Sequence, residues 1–138
     1  MEFGRLYFNA KRFKKNILIS KIYKLISRCL FTCDIPLEAD IDDTVYFCHS
    51  AFGTVINPNA KIGGGCTIQH CVTIGELSAK NHLAPTIGNK VFVGAHAMVL
   101  GDIKIGDGAK IGAGAVVLCD VPNGCTAVGV PARVIRPM

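Results

Sequence analysis

The hydrophobic residues of this chain recur every six positions over most of its length. From Ile35 the step runs to Ile41 and Phe47, resumes after three extra residues at Ile56, Ile62, Ile68 and Ile74, and resumes again at Ile87, Val93, Val99, Ile105, Ile111 and Val117. Four residues behind each marker stands a second small or β-branched residue: Ala39, Val45, Ala51, Ala60, Cys66, Val72, Val91, Ala97, Ile103, Ala109, Ala115 and Val121. Only Ile74 lacks such a follower, because the chain leaves the pattern at Ser78. A period of six fits neither the helical turn of about 3.6 residues nor the two-residue alternation of an ordinary strand. It predicts short flat strands joined by turns, each too small to bury its own aliphatic residue, so the units must wind and stack as a solenoid. Glycines directly after the markers, such as Gly63, Gly88 and Gly106, mark its corners.

Ahead of the repeat the period changes. Leu18, Ile22, Leu25, Ile26 and Cys29 follow helical spacing, with Lys21, Lys24 and Arg28 on other faces. This predicts a basic amphipathic helical segment over 1–33, either covering the open end of the first coil or lying at an anionic lipid surface through residues 1–31. The β-body is predicted over 34–122, with a loop at 75–86, and a tail without the period over 123–138.

Charge sharpens this division. The 138 residues carry a net charge of +5, but residues 1–31 hold eight Lys/Arg against one Glu, and the remainder is slightly acidic. A generally nucleic-acid-binding domain is therefore disfavoured. No apolar run reaches the ~18 residues of a transmembrane helix. Seven cysteines, an odd number without a CxxC pair or a secretory leader, predict buried free thiols in a reducing, cytoplasmic setting.

The runs INPNAKIGGGCTIQHCVTIG, TIGNKVFVGAHAMVLGDIKIGDGAKIGAGAVVL and DVPNGCTAVGVPARVI resemble the hexapeptide-repeat acyltransferases, with the serine O-acetyltransferase branch nearest. The resemblance covers roughly 34–136. It implies a left-handed parallel β-helix, three hexapeptides to a coil, assembled as a homotrimer that uses acetyl-CoA as cosubstrate. Three units per coil sort the markers into faces: Ile35, Ile56, Ile74, Val99 and Val117; Ile41, Ile62, Ile87 and Ile105; Phe47, Ile68, Val93 and Ile111. Two residues beyond the third face, His49, His70, Ala95 and Ala113 then stand in one column. The family's positions matching Ala95 and Ala113 border the pantetheine arm of the coenzyme, which puts His49 and His70 at the thioester end of that track.

The family's catalytic Asp–His dyad matches CDIP and CHSAFG, selecting Asp34 and His49. The winding returns the bulge after His49 to the corner of Asp34, so a contact between the two is expected. A hydroxyl attacking a thioester must lose its proton, and a neutral imidazole oriented by a carboxylate can take it. Cys48, His70 and His82 are the acceptor-side candidates. Cys48 stands where the family has an Asp assigned to the acceptor's amino group, and His82 is displaced from the family's spacing. Gly75, Lys110 and Arg133 join Ala95 and Ala113 on the coenzyme side, while His96 reads as a turn residue. The four histidines lie 21, 12 and 14 residues apart without a close ligand pair, so no metal is predicted. The leading expectation is a short serine-acetyltransferase-like enzyme. A sugar O-acetyltransferase of surface polysaccharide biosynthesis is the alternative, and a non-enzymatic scaffold is third.

Overall fold

The computed structural model describes residues 2–78 and 82–136. Its strands are two to four residues long and stack in three sheets, one for each predicted face. The first stacks Val55–Ile56, Thr73–Gly75, Met98–Leu100 and Val116–Val117; the second stacks Asp40–Ile41, Lys61–Ile62, Thr86–Ile87 and Lys104–Ile105. The third stacks Tyr46–Phe47, Thr67–Ile68, Phe92–Val93, Lys110–Ile111 and Thr126–Gly129. Coil pairs with coil in parallel and marker lies over marker, as in Ile56, Ile74, Val99 and Val117. A bridge between Asp34 and Val55 sets Ile35 beneath Ile56. Every residue of both columns is buried. The architecture is the expected one, a mainly β, left-handed parallel β-helix of about four turns with helices at its N-terminal end.

Close stacking explains the corner glycines. Asn123 Oδ1 accepts the backbone N–H of Asp107 at 3.0 Å, Asp107 Oδ1 that of Asn89 at 2.7 Å, and Asn89 Oδ1 that of Gly64 at 2.9 Å. The result is a ladder of side-chain oxygens along one edge. A Cβ on Gly88 or Gly106 would collide with the Asp107 or Asn123 oxygen of the next coil.

Two helices, α1 (Phe3–Lys11) and α2 (Ile17–Leu30), cover the first coil. Asn16 caps α2, its side-chain oxygen accepting from the backbone N–H of Leu18 and Ile19. The open end of a β-helix leaves backbone carbonyls without a coil above them. Here cap side chains meet them: Tyr23 donates to Ile35 O at 2.7 Å, Lys11 to Ile41 O at 2.6 Å, and the Tyr7 hydroxyl lies 3.4 Å from Pro36 O and Ala39 O. Phe3 packs edge-on against Phe47, joining cap to core.

Two features depart from the sequence pattern. The helices use Phe3, Tyr7, Ala10, Tyr23 and Ser27 as their buried face, while Leu18, Ile22, Leu25 and Cys29 of the apolar stripe are exposed. Phenolic side chains win the inner position because only they fill space and also satisfy the end carbonyls. Beyond Pro122 the coil continues: Val121 bridges to Ile105, and Thr126–Gly129 extends the third sheet before turning back as the antiparallel strand Ala132–Ile135. Markers step only four residues from Val117 to Val121, so a search at six loses the phase there.

Candidate active site

The corner between the third and first faces carries His49. Three extra residues must be absorbed there before Val55 rejoins the coil, and Cys48–Ala51 do so as a tight turn. His49, Ser50 and Ala51 all take left-handed backbone, with φ of 50°, 55° and 60°. Each such non-glycine residue costs about 1–2 kcal/mol. The turn is held by Phe52 N–H on His49 O, Thr54 N–H on Ala51 O, and Cys71 N–H on Phe52 O from the coil above. Strain held in place by neighbours is common where a side chain must be aimed.

The His49 ring is exposed and meets His70 edge to face, centroids 5.1 Å apart; His70 meets His96 in the same way at 5.3 Å. Sequence reasoning set His96 aside as a turn residue. Its left-handed backbone (φ 59°) and its N–H bond to His70 O swing the ring back onto the column. The available signal was the recurrence of His at this corner in three consecutive coils. Within this row, His70 Nδ1 is buried and has no hydrogen-bond partner among the described residues. Ala95 and Ala113 continue the corner beyond the rings, and the coils there are so close that a Cβ on Gly94 would strike Ala113 N. Lys110 and Arg133 are both exposed on the strands of the third sheet.

Asp34 is joined to His49 by no hydrogen bond or ion pair among the described residues. Its carboxylate pairs with Arg28 of α2 at 2.5 Å, both side chains about half exposed. Sequence reasoning missed Arg28, since its position beside Asp34 depends on how α2 crosses the coil. Cys48 is half-buried, and burial pushes its thiol above the ordinary range. It therefore carries no negative charge at neutral pH and does not replace a carboxylate.

Gly75 and His82 lie elsewhere, at the opposite corner of the first face. The turn at Cys71 and the strand Thr73–Gly75 lie between His70 and the far end of this face. His82 is exposed, its Nδ1 lies 3.4 Å from Glu76 Oε2, and its carbonyl accepts from Asn59 Nδ2. Residues 79–81 of the expected loop lie outside the described residues. One chain thus gathers Cys48, His49, His70, Ala95 and Ala113 at one corner and leaves Gly75 and His82 at another. Among the described residues no group of three or more His, Cys, Asp or Glu is placed to hold a metal ion.

A family model described as bacterial transferase hexapeptide (six repeats) matches residues 84–119. WcaB of Escherichia coli strain K12, which is named as a colanic acid biosynthesis acetyltransferase, is 40% identical over 128 residues, covering 88% of this chain and 78% of WcaB. The chain belongs to the hexapeptide acetyltransferase family. Another relative in this family, the serine acetyltransferase of Synechococcus elongatus, is 43% identical over 121 residues, covering 86% of this chain and 48% of the relative. The crystal structure of the Brucella abortus serine acetyltransferase in complex with coenzyme A matches with a TM-score of 0.86 and 31% identity, covering 96% of this chain and 54% of that one. This hexapeptide acetyltransferase chain thus spans about half the length of those two serine acetyltransferases and more of WcaB.

Proposed function

We propose that this protein transfers the acetyl group of acetyl-CoA to a hydroxyl, with His49 as general base. The observation that carries the reading is the position of His49: an exposed imidazole, aimed by strained backbone, at the end of the corner formed by His70, Ala95 and Ala113. The hydroxyl oxygen attacks the thioester carbonyl carbon while the imidazole takes its proton. The tetrahedral adduct then expels the coenzyme thiolate, which recovers that proton, leaving an ester and free thiol. Positioned proton transfer of this kind contributes about 10²–10⁴-fold. Asp34 is the carboxylate that would orient the imidazolium. Its half-exposed pair with Arg28 is worth about 1 kcal/mol at most, so turning toward His49 costs little. Lys110 and Arg133 suit the coenzyme phosphates.

A homotrimer fits the division of candidates between two corners. In a three-fold ring one subunit's His49 corner faces a neighbour's Gly75–His82 corner, and both halves then line one cleft. Gly75 supports this, because a Cβ there would meet nothing nearer than Leu100 Cδ2 at 3.8 Å, so its own coil does not require glycine. Seven free thiols suit a reducing, cytoplasmic setting.

L-Serine is the leading acceptor, carried by the serine acetyltransferase relatives. A sugar hydroxyl is the second reading, favoured by the neutral Cys48 beside His49 and by the WcaB relative, of which this chain covers the larger share. The test is thiol release from acetyl-CoA, first with L-serine and then with a panel of sugars. Turnover with serine settles the acceptor, and turnover with sugars alone selects the second reading. His49→Ala is expected to lower kcat by at least about 100-fold while coenzyme binding, read by calorimetry, persists. Near-full activity in that variant would overturn the mechanism.

A further inference from the structure

The outer surface of the helical cap carries an apolar face that no other described residue covers. Phe13, Ile17, Leu18, Ile22 and Leu25 are 48–73% exposed, and an apolar groove lined by Leu6, Ala10 and Ile26 continues the surface between the two helices. Helical periodicity sets Lys21, Lys24 and Arg28 in a row along one border of the α2 stripe, and Lys14 and Lys15 lie in the turn between the helices. From Phe3 to Cys33 there are eight Lys/Arg and no acidic residue. Two of these cations are engaged elsewhere, Lys11 on Ile41 O and Arg28 on Asp34. Arg12, Lys14, Lys15, Lys21 and Lys24 are exposed.

We propose that this face docks on an anionic phospholipid bilayer. An apolar surface of this kind marks a contact site, and charge decides its occupant. A second copy of the same face would set Arg12, Lys14, Lys15, Lys21 and Lys24 against their own counterparts, and the Glu38 carboxylate beside Lys14, Lys21 and Lys24 offsets only one of those charges. An anionic leaflet supplies the missing charge, while Leu18, Ile22 and Leu25 enter the boundary between headgroups and acyl chains. At 14 residues α2 is about 21 Å long, too short to cross and suited to lie in the plane. The stripe read from the sequence as one side of an amphipathic helix is thereby assigned to lipid, since the coil takes the tyrosine side. The inference is independent of the acetyl-transfer reading.

Flotation of the full chain with vesicles tests it. We expect binding to phosphatidylcholine containing a third phosphatidylglycerol, weakened by half-molar salt, and at least about tenfold weaker binding to phosphatidylcholine alone. Lys21→Glu/Lys24→Glu should reduce binding to the anionic vesicles about thirty-fold or more. Leu18→Ser/Leu25→Ser should abolish it with an unchanged far-UV circular dichroism spectrum, as both side chains are outside the core. Failure of the unmodified chain to bind anionic vesicles overturns the proposal. So does equal binding to neutral vesicles, or self-association that the Leu18/Leu25 variant abolishes in the absence of any lipid binding, which would assign the face to a second copy.

Discussion

A single atom type beside His49 separates the two acceptor readings. An amino acid acceptor brings an ammonium group that a neighbouring carboxylate would recognise, and a sugar brings none. Cys48 stands at that place as a half-buried thiol held neutral by burial. Restoring charge with Cys48→Asp should lower the KM for L-serine about tenfold or more, the value of one charge-assisted hydrogen bond, with kcat nearly unchanged. An unchanged KM for serine would place the acceptor's amino group away from residue 48. The residue scale also shows how a histidine can mislead. His96 had no motif to recommend it, yet a left-handed φ is enough to return its ring to the row.

At the scale of elements, corners and cap obey different constraints. Gly106 makes room for the side-chain ladder, so Gly106→Ala should cost about 1–3 kcal/mol in urea denaturation. Gly75→Ala should stay within about 0.5 kcal/mol, since its Cβ would make only ordinary van der Waals contact with Leu100 and Thr73. A comparable loss at both would remove the reason for giving Gly75 to a ligand or neighbour. The cap carries its own pH signature. Burial raises the Tyr7 and Tyr23 phenols and pushes the Cys33 thiol up to about 12. The unfolded chain releases these protons first, so their stabilisation is complete below about pH 8.5 and is lost as pH rises through 12 and beyond. Tyr23→Phe should make the fall in stability above about pH 10 shallower by up to about 1.4 kcal/mol per pH unit in pH-dependent denaturation. It should also lower neutral stability by about 1 kcal/mol through loss of the bond to Ile35 O.

At the scale of the molecule, the first face keeps the two groups of candidate residues apart. If a trimer joins them, two inactive variants should complement. His49→Ala and Gly75→Trp, each inactive alone, should regain activity when dissociated, mixed and reassembled, with about a quarter of the sites pairing an intact His49 corner and an intact Gly75 corner. Two variants that remain inactive when mixed would put the complete site within one chain. Outward residues of the first face include Val55 and Met98, both over 40% exposed, which gives a neighbouring subunit apolar surface to cover.

The six-residue period by itself determined a solenoid and the identity of its core, because each short strand can bury its marker only by stacking on others. Three units to a coil, and with them the three faces, came from the resemblance to the hexapeptide-repeat family. That count also brought His49 and His70 into one column, since the column then follows from register alone. Register says nothing about a side chain with freedom to turn, so the Arg28–Asp34 pair and the His96 ring needed the folded chain. Nor could helical spacing reveal which side of α2 faces the coil. Tertiary structure decided that by presenting carbonyls of the first coil which the Tyr7 and Tyr23 hydroxyls can reach and leucine cannot bond, leaving the aliphatic stripe outside.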